Sequence, residues 1–142
     1  MASINTGRVV AGGLVAGVVT NACDMLWHMT VMQDDMAAMV QKFGMDPAAA
    51  QSMSAVAPWI VIDFVFGILI VWTYAAMRPR FGPGPKTALV AGITLYLAVT
   101  AILYGFTSMG MMSMGAFARG SAAELVSTIL GSLAGAAVYK ET

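Results

Sequence analysis

The sequence predicts an all-α fold: a transmembrane four-helix bundle with two short interfacial helices in its first outer loop. Three observations carry that expectation. Four apolar stretches, at about residues 8–32, 57–77, 87–108 and 121–139, take up most of the 142 residues. A hydrocarbon core about 30 Å thick needs about 20 helical residues at 1.5 Å rise, and each stretch reaches that length. The chain is 59% hydrophobic and 10% charged, where a soluble domain carries about 25% charged residues. A single integral membrane domain, 1–142, uses the whole length.

The first span opens after Arg8. It imitates a signal peptide, and Thr20, Asn21, Ala22 and Cys23 hint at a lipoprotein cleavage site. The polar pair Thr20 and Asn21 spoils that pattern, and the apolar run continues to Met32, so the segment reads as a span. Cys23 is the single cysteine, which excludes an intrachain disulfide.

The outer loop, 33–56, comes next. Asp34 and Asp35 favour a helix start through the helix dipole. Met36, Met39, Val40 and Phe43 follow at helical spacing, and Gly44 is a natural stop. Asp46 and Pro47 then open a second short helix as cap and first-turn proline. The pair is expected over the bundle mouth, either as packing elements or as a lid. The second span leads to a short, stiff inner loop, 78–87, rich in Pro and Gly. The third span follows, and then an outer loop carrying Met109, Met111, Met112 and Met114. Thioethers suit Cu(I), but they are also flexible apolar filler, which is the favoured reading here. The fourth span begins near Ser121.

Charge sets orientation. With cytoplasmic ends, Arg8, Arg78, Arg80, Lys86 and Lys140 fall inside and only Lys42 and Arg119 outside. Both termini are therefore expected in the cytoplasm. Seven basic residues balance seven acidic ones. They are too scattered to neutralise a run of phosphates, so no nucleic-acid partner is expected.

The run Tyr74-Ala75-Ala76-Met77-Arg78-Pro79-Arg80-Phe81-Gly82-Pro83-Gly84-Pro85-Lys86-Thr87-Ala88 resembles a stretch in a family of uncharacterised bacterial membrane proteins of this size with four predicted spans. The resemblance implies a bacterial membrane origin, and the expected location is the inner (cytoplasmic) membrane. It transfers no activity and no functional residues. A weaker internal likeness lays Ala11 through Thr20 on Ala91 through Thr100, pairing two hairpins in one orientation.

Each span carries small and polar residues at steps of three and four, which share one helix face. They are Gly13, Gly17, Asn21, Asp24 and His28; Asp63, Gly67, Ile70 and Tyr74; Ala91, Thr94, Ala98, Ala101, Gly105 and Ser108; and Glu124, Thr128, Gly131 and Gly135. Small residues let helices approach closely in lipid, so these faces are expected to form the interior. Trp27, Phe64, Phe66, Trp72 and Leu95 fall mostly outside these stripes and are expected to meet lipid or neighbours.

Asn21, Asp24, His28, Asp63 and Glu124 should gather towards the outer end. An ionisable residue near the bilayer centre costs about 2.5–3.5 kcal/mol on insertion scales, so isolated acids are disfavoured. Asp24 and His28, one turn apart, are placed to pair. The group reads as a binder of a proton, an ion or a small polar ligand, with a metal at His28 and Asp24 as one form. A purely structural role in fixing helix register is the competing reading. His28 also suits axial ligation of haem or chlorophyll. No phosphate loop or nucleophile constellation appears, so an enzyme is not expected. The alternative function is a non-catalytic accessory subunit, in a homo-oligomer or a larger membrane complex.

Overall fold

The structure is a computed structural model and describes residues 4–140. It is helical throughout, in the order α1 (Thr6–Thr30), α2 (Gln33–Lys42), α3 (Pro47–Ala50), α4 (Met53–Phe81), α5 (Pro85–Ser108) and α6 (Met114–Val138). Helices α1, α4, α5 and α6 are long and apolar enough to cross a membrane. Their outward faces agree with that, since Val18, Trp59, Val61 and Ile102 are each more than half exposed. A monomeric soluble protein rarely exposes so continuous an apolar surface.

Local chemistry sets the helix ends. Asn5 caps α1, its Oδ1 accepting from Arg8 N–H at 3.0 Å. Asp46 caps α3 by accepting from Ala48 N–H at 3.0 Å. Ser113 caps α6 by accepting from Ala116 N–H at 3.0 Å. Gly44 leaves α2 at φ 61°, a left-handed conformation that glycine adopts without strain.

Two boundaries differ from expectation. Helix α4 runs through Arg78, Pro79 and Arg80 to Phe81 and resumes as α5 at Pro85, so the inner turn is only Gly82–Gly84. Pro79 has no N–H to give the Ala75 carbonyl, so α4 runs its last residues at the loss of one backbone bond. Helix α6 begins at Met114, seven residues before Ser121. A polar stretch with Arg119 extends the helix without extending the apolar span.

The bundle is a closed ring. Helix α1 packs on α4 and α6, and α5 packs on the same two; α4 and α6 also touch. Thus α1 and α5 occupy opposite corners. Contacts fix direction. Along α1, Gly13, Gly17 and Asn21 meet Ile68, Phe64 and Ile60 in that order. Gly12, Thr20 and Asp24 meet Gly135, Gly131 and Ser127. Both pairings are antiparallel.

Glycine sets the tightest crossings. A methyl group at Gly67 would lie 2.5 Å from Gly13 O and 2.7 Å from Gly17 N. One at Gly12 would lie 2.7 Å from Gly135 O. Backbones approach this closely only where no side chain intervenes. The expected inward stripes of α1, α4 and α6 are in place over this inner half.

The stripe expected on α5 is not. Of its members only Ala91 is buried; Thr94, Ala98, Ala101, Gly105 and Ser108 are exposed. Helix α5 instead turns Thr87, Ala88, Ala91, Gly92 and Thr107 inward. At Gly92 a methyl group would come within 1.9 Å of Ser132 Oγ. Lipid does not penalise an outward Ala or Gly, so spacing alone does not choose the face.

The interior divides along its axis. The apolar core, Val9, Ala16, Val71, Tyr74, Ala75, Ala88, Ala91 and Tyr139, fills the half near the termini. There the Arg78 guanidinium lies 5.8 Å from the Tyr74 ring and 5.3 Å from the Tyr139 ring. The other half holds polar groups.

Candidate functional site

Three helices build the polar half: α1 with Asn21, Asp24 and Trp27, α4 with Asp63, and α6 with Glu124, Ser127 and Thr128. Ser127 sits at the centre and is fully buried. Its hydroxyl donates to Asp24 Oδ1 at 2.6 Å. It accepts from the Trp27 indole N–H at 3.0 Å. Helices α1 and α6 are therefore tied by a three-residue polar link.

Glu124 lies one turn from Ser127 on α6. Its Oε1 accepts from the Thr128 hydroxyl at 3.3 Å, and its carboxyl is within electrostatic reach of Asp24. Asp63 is within electrostatic reach of Asp24, His28 and Glu124. The Asn21 amide donates to Gly17 O at 2.8 Å and across to Ile60 O on α4 at 3.3 Å. Cys23 also neighbours Ser127.

The acids are staggered. Asp63 and Glu124 each stand ten residues into their helices, because both helices begin further out than their apolar spans. The contacts of Gly17 with Phe64 and of Asn21 with Ile60 place Asp63 nearly two turns deeper than Asp24, about 9 Å of helix rise. Among the described residues, no Lys or Arg forms an ion pair with Asp24, Asp63 or Glu124.

His28 does not pair with the Asp24 carboxylate. It is exposed, and its Nδ1 donates to the Asp24 backbone carbonyl at 2.8 Å. A carbonyl only accepts, so this bond places the hydrogen on Nδ1 and leaves Nε2 for other partners. Among the described residues, no three His, Cys, Asp or Glu side chains are grouped to hold a metal ion. Met109, Met111 and Met114 are exposed and Met112 is half-buried.

Trp27, expected to meet lipid or neighbours, meets a neighbour: its indole N–H donates to Ser127 on α6. Ser127 and Thr128 themselves escape sequence reasoning. Serine and threonine are common in membrane helices, where they bond to their own backbone, as Ser132 does to Thr128 O at 2.5 Å. Only spacing distinguishes Ser127: it lies three residues from Glu124, so it shares that acid's face.

Searches against protein-family models, curated proteins and solved structures found no match to this chain.

Proposed function

We propose that this is a small polytopic membrane protein. Its polar group, Asn21, Asp24, His28, Asp63 and Glu124, takes up a proton, an ion or a small polar ligand. The observation that carries this reading is the Asp24–Ser127 bond with the Glu124 carboxyl one turn away on α6, neither acid paired to a Lys or Arg among the described residues. Two neighbouring carboxyl groups resist carrying two charges at once, so a proton or a cation is favoured between them. Isolated buried charge is expensive, and a proton or cation is what relieves it.

The surrounding assignment belongs to the same proposal. The chain sits in a bacterial inner (cytoplasmic) membrane with both termini cytoplasmic, supported by the basic residues at one end and by the resemblance of the 74–88 run. Helices α2 and α3 then lie at the outer interface, and the polar group opens to that side.

Infrared spectroscopy of the protein in bilayers, taken across a pH series, tests the proton arm. A protonated-carboxyl band should titrate and should vanish in Asp24→Asn or Glu124→Gln. Calorimetry with monovalent and divalent cations tests the ion arm. Absence of both a titrating band and a cation-binding heat overturns the reading.

One observation favours a second reading, an accessory subunit of a larger membrane complex or a homo-oligomer. The small residues Ala98, Ala101 and Gly105 face outward on α5, and nothing lies within 4 Å of a methyl group placed at Gly105. On this reading His28, with Nε2 open, is the residue to hold haem or chlorophyll. Native mass spectrometry reads partners, and visible absorption reads the pigment.

A further inference from the structure

Helix α2 starts at the α1 corner of the bundle. At its far end the Lys42 ammonium donates to Gly110 O, which follows the end of α5. Those corners are opposite. A ten-residue helix is about 15 Å long. Helices spaced about 8–10 Å apart, with α4 and α6 touching, leave a long diagonal of about 15 Å. Helix α2 therefore spans the bundle mouth from corner to corner, on the side where the polar group lies.

It is held there by polar ties and by the half-buried side chains of Met36, Met39 and Val40. No residue of α2 is buried. Midway along the chain of contacts, Arg119 of α6 grips Asp35 with both arms: Nε donates to Oδ2 at 2.8 Å and Nη2 to Oδ1 at 2.5 Å. The Asp35 side chain is 11% exposed and that of Arg119 51%. Arg119 stands five residues, about 7.5 Å of helix rise, beyond Glu124. Gly44 turns the chain out of the far end at φ 61°, its N–H donating to Gln41 O at 3.2 Å. The apolar contact is partial, and an exposed ion pair is worth about 0.2–1 kcal/mol and weakens with salt.

We propose that α2 is a lid over the polar group, latched by Asp35 to Arg119 and by Lys42 to Gly110, and that releasing the latch admits solutes to the bundle mouth. This rests on the polar group being the working site. The occupant of the closed position is α2 itself, seated by two ties that reach different elements.

Cys23, the only cysteine, is half-buried beside Ser127 in the polar half of the bundle and reports access. The full chain in nanodiscs is treated with a charged, membrane-impermeant thiosulfonate, and the rate of Cys23 modification is measured. The wild type should react slowly. Arg119→Gln should react about fivefold faster, and high salt should accelerate the wild type towards the same rate. The exchanged pair, Asp35→Arg with Arg119→Asp, should restore slow reaction, which a misfolded variant would not do. Equal rates in wild type and Arg119→Gln, a fast exchanged pair, or no modification in any form overturns the lid. The carboxyl band is a separate readout. Unchanged labelling with a titrating band sinks the lid alone, and latch-dependent labelling without a titrating band or cation heat sinks the functional reading alone.

Discussion

Ser127 and Asp24 are joined at 2.6 Å across 103 residues of sequence, and the serine is also the acceptor for Trp27. One hydroxyl thus satisfies two partners from α1 while sitting on α6. Removing it strands a carboxylate oxygen and an indole N–H together. Ser127→Ala should destabilise the bundle by about 1–3 kcal/mol, measured as a shift in denaturant unfolding in mixed micelles. Loss of the Trp27 bond should also change indole fluorescence. A variant as stable as wild type with an unchanged emission spectrum contradicts this account.

The glycines separate into two kinds. At Gly67 an added methyl group would strike the backbone of α1, at 2.5 Å from Gly13 O. Gly67→Ala should cost about 1–3 kcal/mol by forcing α1 and α4 apart. At Gly105 nothing lies within 4 Å, so Gly105→Ala should be neutral or stabilise by up to about 1 kcal/mol through helix propensity. The two variants form a matched pair in the same unfolding assay. Equal effects at both positions contradict the close crossing.

The Arg119 guanidinium beside Asp35 holds its carboxyl below the ordinary value of 3.8, chiefly through the two hydrogen bonds. A depressed carboxyl stabilises the folded state above its unfolded value. That contribution is lost as pH falls through the lower folded value. Asp34 and Lys42 are the other charged groups on α2, and Arg119 faces it from α6. The latch should therefore be intact at neutral pH and released only in acid below about 3.8. The stability difference between wild type and Arg119→Gln, measured by thermal melting, should shrink towards zero over that acid range. A difference that grows in acid contradicts the assignment.

At the opposite end, the Tyr74 hydroxyl accepts from Gly84 N–H at 3.1 Å, and the ring meets Tyr139 edge to face at 6.0 Å between centroids. Tyr74→Phe keeps the ring and loses the acceptor for the Gly82–Gly84 turn. It should cost about 0.5–1.5 kcal/mol. Tyr74→Ala also removes a buried aromatic and should cost about 3–5 kcal/mol. Hydrogen exchange of the Gly84 amide should rise in both.

The sequence by itself determined the four long apolar helices, the Asp46 cap, the Gly44 stop and the inward faces of α1, α4 and α6. Span length, capping and small-residue spacing are local properties, and there the spacing agrees with what each helix meets. The tertiary structure alone decided which way α5 turns, because lipid accepts Ala98, Ala101 and Gly105 as readily as a neighbouring helix does. It also decided that Asp24 takes Ser127 and not His28 as its partner. A side chain one turn away competes with every donor that packing brings near, and the nearest here arrives from 103 residues further along. The tie between Asp35 and Arg119, 84 residues apart, was hidden for the same reason: neither residue carries a local signal for the other, and only closure of the ring sets them face to face.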